Sequence, residues 1–241
     1  MKLRIEKSVT VITPSIGSMK LQQALRSVKS QTYKNLNHLI VVDGPQYENA
    51  VRFMVNGEAT VCALPENTGA NGFYGHRIYA GMPHLLNSDY IFFLDEDNWY
   101  EPNHVESLVK VLEQDNNFAF SLRKIYDADM KYIADDNCEA LGKWPIYFSH
   151  QDPQYLIDTS AFAFKREFIQ KTCHMWHSGW GGDRKYFYQV MGTKFDTNGQ
   201  HTLCYRLDGN PGSVNADFFI KGNETQKQYY KDGFPWLKAS T

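Results

Sequence analysis

The sequence predicts an α/β fold, a mostly parallel sheet flanked by helices. Two observations predict it. Apolar, largely β-branched or aromatic runs at residues 9–12, 39–42 and 90–94 are continuous instead of alternating, as strands buried on both faces are. Between them lie segments with helical apolar spacing, so strand and helix alternate along the first half of the chain.

Taken in order, residues 9–12 form a strand that leaves through Thr13-Pro14-Ser15. Leu21, Ala24, Leu25 and Val28 then fall at i, i+3, i+4 and i+7, one face of a helix. Residues 39–42 make a second strand, stopped by the turn signal Asp43-Gly44-Pro45. A weaker third strand covers residues 60–64. A Gly- and Asn-rich loop follows over 67–75, then a helix over 77–86 interrupted by Pro83. Residues 90–94 are the most hydrophobic strand and run into Asp95-Glu96-Asp97. Asn103, with Glu106 three residues on, predicts a capped helix whose apolar face is Val105, Leu108, Val109 and Leu112. In the second half the pattern predicts strands over 156–164 and 202–207, with a helix over 183–191 stopped by Gly192. The tail beyond Asp217 has only weak periodicity.

Composition narrows the function classes. A net charge of −2 offers no basic field for nucleic acid. No apolar run reaches the length of a membrane span. Residues 1–7 lack the apolar centre of a signal peptide, so a cytoplasmic location is expected, with peripheral membrane contact left open. The four cysteines, Cys62, Cys138, Cys173 and Cys204, have neither zinc-ligand nor disulfide-framework spacing. Aromatics reach 15% and crowd the second half, where they serve either packing or flat ligands such as sugars.

The chemistry concentrates after the strand at 90–94. In open α/β sheets ligands gather beyond the carboxyl ends of the strands, where Asp95, Glu96 and Asp97 lie. Residues i and i+2 of an extended segment project to one side, so Asp95 and Asp97 are expected to converge while Glu96 points away. Hard carboxylate oxygens suit Mg²⁺ or Mn²⁺. A solvated acidic turn is the other reading.

With this cluster the chain resembles the family-2 glycosyltransferases of GT-A fold. The resemblance rests on Val11-Ile12-Thr13-Pro14-Ser15, Val41-Val42-Asp43-Gly44, Asn67-Thr68-Gly69 with Asn71-Gly72 and Arg77, and Phe93-Leu94-Asp95-Glu96-Asp97, in that order. It is close over the first half and looser beyond. It implies a GT-A-like, Rossmann-type unit spanning residues 1–241, with a nucleotide-sugar-binding half to about 123 and an acceptor-side half from about 124. It implies a metal-dependent transfer of sugar from a nucleotide-sugar, preferably a UDP-sugar, to a saccharide or glycan acceptor, with inversion. By the same resemblance Thr13, Pro14 and Ser15 line the nucleotide pocket, Asp43 bonds the base, and Asn67, Asn71, Arg77, Asp95 and Glu96 belong to the donor site. Asp97, with Asp95, holds Mn²⁺ or Mg²⁺.

Inverting transfer also needs a base for the acceptor hydroxyl. The candidate is Asp183 in Trp180-Gly181-Gly182-Asp183-Arg184. Gly181 and Gly182 let backbone approach a ligand, and Trp180 suits stacking on a sugar. Asp183 equally suits a helix N-cap, where the helix terminus favours its ionised form and weakens it as a base. Asp158 is a candidate acceptor or sugar contact. The family's metal-completing His has no direct counterpart, which leaves Asp208, His201 or water for that place. Two other functions remain open from sequence: a sugar-phosphate nucleotidyltransferase, although residues 13–20 lack a dense glycine cluster, and a non-catalytic nucleotide-sugar-binding protein.

Overall fold

The computed structural model describes residues 6–209 and 214–238. Residues 1–5, part of the stretch considered for a signal peptide, lie outside them. Among the described residues the strands are β1 (Val9–Ser15), β2 (Leu36–Val42), β3 (Thr60–Ala63), β4 (Tyr90–Phe93), β5 (Trp99–Tyr100), β6 (Phe118–Tyr126), β7 (Tyr132–Asp135), β8 (Phe162–Lys165) and β9 (Phe195–Arg206). The helices are α1 (Leu21–Lys29), α2 (Glu48–Val55), α3 (His76–Gly81), α4 (His104–Leu112), α5 (Arg166–Thr172), α6 (Gly182–Val190) and α7 (Ala216–Tyr229).

The strands form one sheet in the order β3-β2-β1-β4-β8-β6-β9-β5, with β7 beside β6. The half made of β3, β2, β1 and β4 is parallel, as the sequence predicts. From β8 onward the sheet is mixed, with β8 antiparallel to both β4 and β6 and β9 parallel to β6. Both faces of the parallel half are covered. Ile40 and Val42 of β2 meet Leu21 and Leu25 of α1 and Val51 and Val55 of α2. Leu39 and Val41 face the main core with Ile78 and Tyr79 of α3. That two-sided burial is why these strands read as unbroken apolar runs.

Several expectations change in detail. β1 extends through Pro14 and Ser15 along β2. Pro14 lies past the end of the β1–β4 pairing, which stops at Ile12↔Phe93, so its missing N–H leaves no gap toward β4. Asn103 precedes α4, but its amide bonds Gln200 instead of capping the helix. Of the strand expected over 156–164, only the Phe162–Lys165 end forms. Asp158 caps a short 3₁₀ turn, Thr159–Ala161, by accepting the Ser160 N–H. Gly181, with φ 73°, holds the cap position of α6, so Asp183 is its second residue and not its cap. The tail contains α7, and β9 runs seven residues further toward the N-terminus than the 202–207 pattern suggests.

Candidate active site

A cavity of about 670 Å³ opens at the carboxyl ends of β1, β2 and β4 and is walled on its far side by residues of the second half. Seven carboxylates line it, those of Asp43, Asp95, Glu96, Asp97, Glu139, Asp158 and Asp183, against the guanidiniums of Arg123 and Arg184. The site is therefore strongly acidic.

Asp95, Glu96 and Asp97 do not continue β4 as an extended segment. They form a turn closed by the Asn98 N–H donating to the Asp95 carbonyl at 3.2 Å, and all three still border the cavity. Each acid has its own surroundings. Asp95 accepts from the Tyr79 hydroxyl at 2.9 Å and the Ser160 hydroxyl at 3.2 Å, while its backbone N–H donates back to Ser160 Oγ at 2.9 Å. Burial first, and then the charges of Asp97 and Asp158, push its pKa up to about 8. Glu96 turns to the loop after β1, accepting from the Ser15 hydroxyl at 2.6 Å and the Ile16 N–H at 3.4 Å. Asp97 faces Asp208. Burial and the repulsion of Asp208 raise its pKa to about 6, opposed by Lys20, which is ion-paired with Asp208.

Among the described residues no group of three or more His, Cys, Asp and Glu side chains is placed to hold a metal ion. Asp97 and Asp208 nevertheless supply hard oxygens whose repulsion a cation relieves. A divalent ion held by one or two carboxylates together with substrate phosphates needs no third side chain. The donor set fits that kind of site.

At the carboxyl end of β2, Asp43 is held by the 67–69 loop. Its Oδ1 accepts from the Thr68 N–H at 2.6 Å and hydroxyl at 2.8 Å, and its Oδ2 from the Gly69 N–H at 2.8 Å. A β-carbon on Gly69 would sit 2.4 Å from the Tyr74 carbonyl oxygen and 2.7 Å from Asp43 Oδ2, so only glycine fits that close approach. Asn67 borders the cavity with a buried Oδ1 that has no hydrogen-bond partner among the described residues. Pro14 and Ser15 also line it.

The remaining donor-side candidates fall elsewhere. Thr13 is buried, its hydroxyl bonded to His38 Nε2 at 2.9 Å. Arg77 stacks its guanidinium 3.5 Å from the Phe73 ring centroid and donates to the Thr68 carbonyl at 3.2 Å; it braces the loop. Neither these two nor Asn71, which takes a left-handed φ of 61°, lines the cavity. His201 borders a separate polar cavity with Glu101, Lys124 and Asp135, so the structure separates it from Asp97.

Across the cavity stand Asp183, Asp158, Trp180 and Gly181. Asp183 accepts the Arg184 N–H at 2.7 Å through Oδ1. Burial, reinforced by Asp158, raises its pKa against the pull of that N–H, His76 and Arg123. Burial thus outweighs those three groups and holds Asp183 above the ordinary carboxylate range. Trp180 is 78% exposed at the rim. Gly182 packs on the His76 ring, where a β-carbon would come within 2.7 Å.

Among the lining residues that escaped the sequence reading are Arg123, Glu139 and His76. Arg123 is buried and binds Asp136, Glu139 and Asp158 at 2.7–2.9 Å. The sequence signal was a lone arginine inside a strand-like run. Glu139 gives Oε2 to Arg123. His76 donates its Nδ1–H to the Ser178 carbonyl at 2.8 Å, since a carbonyl only accepts; nothing in the sequence marks that contact.

Comparison with known proteins accords with this arrangement. A family description, "Glycosyl transferase family 2", matches residues 10–190. An uncharacterized glycosyltransferase, RP339 of Rickettsia prowazekii (strain Madrid E), is 27% identical over 110 residues, 45% of this chain and 33% of its own length. Glycosyltransferase GlyA of Streptococcus pneumoniae serotype 4 is 27% identical over 119 residues, 44% of this chain and 15% of its own. The matches thus span a third or less of those relatives. Among solved structures, S. aureus TarS 1–349 in complex with UDP-GlcNAc superposes with a TM-score of 0.61 at 10% identity, covering 93% of this chain and 66% of that one. The same fragment in complex with UDP gives 0.59, covering 93% and 72%. At that identity the likeness speaks for the fold, a GT-A-like sheet flanked by helices.

Proposed function

This chain belongs to glycosyl transferase family 2, and from that premise we propose that it moves a sugar from a nucleoside-diphosphate sugar to an acceptor hydroxyl with inversion, using Asp183 as base. The observation that carries the proposal is one cavity bordered by Asp95 and Asp97 on one side and by a pKa-raised Asp183 on the other. UDP is the favoured nucleotide because TarS 1–349, of the same fold, binds UDP and UDP-GlcNAc. The acceptor is a saccharide or glycan hydroxyl.

The donor's base and ribose fit between Pro14, Ser15, the Asp43-anchored loop and Asn67, whose unpartnered Oδ1 accepts an N–H or O–H. Asp95, fixed by Tyr79 and Ser160, addresses the ribose side. Asp97, with Asp208, would hold Mn²⁺ or Mg²⁺, which as a Lewis acid neutralises charge on the leaving diphosphate. Asp183 takes the proton from the acceptor hydroxyl as that oxygen attacks the anomeric carbon and the bond to the diphosphate breaks. Its raised pKa improves its match to that proton. Trp180 offers the acceptor ring an apolar face at the rim, and Arg123 holds Asp158 in the wall.

A thermal-shift screen of nucleoside diphosphates, each with and without Mn²⁺, tests the donor assignment. UDP with Mn²⁺ is expected to raise Tm more than either alone. A set of nucleotides that leaves Tm unmoved at millimolar concentration contradicts it.

A further inference from the structure

A cation belonging to the protein already acts on Asp97, one of the carboxylates that line the cavity. Lys20 directly precedes α1, and its ammonium is ion-paired with Asp208, which follows β9. Those residues are 188 positions apart. Both act electrostatically on Asp97, Asp208 by repulsion and Lys20 by attraction. Lys20 thus compensates the acid pair that the reading above assigns to a divalent ion. Its tether is loose: the side chain is 34% exposed and Asp208 is its ion-pair partner. A lysine carries a point charge on a flexible stem, so it can leave Asp208 without unfolding anything around it. Arg123 cannot take that part, because its guanidinium is committed to three carboxylates.

We propose that Lys20 is a resident counter-cation that couples metal binding to donor binding. In the empty site its ammonium on Asp208 opposes a divalent ion. When a nucleoside diphosphate enters, its phosphates draw the ammonium away and Asp208 is released to the metal. Metal and nucleotide then each favour the other, by the same factor in both directions. Lys20 acts through Asp208 and the diphosphate, as a positioning residue and a gate, and takes no part in bond making. The inference rests on the metal-dependent reading of the site and adds to it the order of charges.

Calorimetric titration of Mn²⁺ into the protein, with and without saturating UDP, tests both and keeps them apart. Wild type is expected to bind Mn²⁺ at least tenfold more tightly with UDP present. Lys20→Met is expected to bind Mn²⁺ several-fold more tightly than wild type without UDP, to show a UDP-induced gain smaller by that same factor, and to bind UDP alone more weakly. Lys20→Arg, which keeps the charge, is expected to restore coupling, and its recovery excludes misfolding as the cause. If wild type takes up no Mn²⁺ even with UDP, the metal-dependent reading fails and this inference with it. If wild type binds Mn²⁺ with UDP but Lys20→Met leaves Mn²⁺ affinity without UDP unchanged or weakened, the inference alone is overturned.

Discussion

Ser160 holds Asp95 from both ends: its Oγ accepts the Asp95 backbone N–H at 2.9 Å and donates to Asp95 Oδ2 at 3.2 Å. The same oxygen accepts from Asn98 Nδ2 at 3.2 Å. One buried hydroxyl thereby fixes the turn that carries all three acids. Ser160→Ala leaves the Asp95 N–H and the Asn98 amide without that acceptor, a cost of about 1–3 kcal/mol. The expected outcome is a destabilised protein whose UDP affinity with Mn²⁺ falls roughly tenfold, equivalent to about 1.4 kcal/mol. Denaturant titration and calorimetry check the two effects separately.

Among the described residues Arg123 is the one positive charge ion-paired with Asp136, Glu139 and Asp158. Removing it strands buried carboxylates, for which a loss of about 3–5 kcal/mol is typical. Arg123→Met is expected to lose stability on that scale at pH 7. The deficit should shrink as pH falls, because the stranded acids then take up protons in the folded state. Urea unfolding at pH 7 and pH 5 measures both. A deficit that is independent of pH contradicts this account of the network.

His104 is buried, stacked on Tyr100 at 3.7 Å between centroids, with Nδ1 bonded to Thr202 Oγ1 at 2.9 Å and Nε2 unpartnered. Burial lowers its pKa to about 3. The unfolded chain therefore protonates at the ordinary histidine pKa of about 6.5 while the folded protein stays neutral. Its contribution is constant above that value and is lost as pH falls toward 3, at up to about 1.4 kcal/mol per pH unit. His104→Phe keeps the stacking and removes the proton site. Compared with wild type, it is expected to have a shallower decline of stability between pH 6 and pH 4.

The parallel half of the fold was legible because its strands are buried on both faces and its helices carry clear apolar stripes, as Leu21, Ala24, Leu25 and Val28 do. The other half hid itself for local reasons. The buried residues of α7 are Phe219, Gly222 and Gln226, of which only one is a large apolar side chain. Gly222 is needed where a β-carbon would come within 2.6 Å of Cys138 Sγ. The first part of β9 contains Gly199 at φ 68° and meets β6 in an irregular register, so residues 195–201 read as polar loop. In the site, residues beside strand ends were visible. Arg123 and Glu139 were not, because their meaning comes from partners on other segments. Asp183 was visible, but whether it capped the helix stayed open until Gly181 was found in the cap position.

The account depends most on Asp183, and Asp183→Asn tests it directly. The substitution keeps the shape and the Arg184 N–H contact while removing proton affinity. With Mn²⁺, the nucleotide-sugar selected by thermal shift and an accepting glycan, turnover is followed as release of nucleoside diphosphate. The account predicts that Asp183→Asn binds donor as wild type does and loses turnover by a factor of about 10²–10⁴, the range of a general base. Donor binding with near-normal kcat in the variant, or no turnover by the wild type with any nucleotide-sugar it binds, would contradict it.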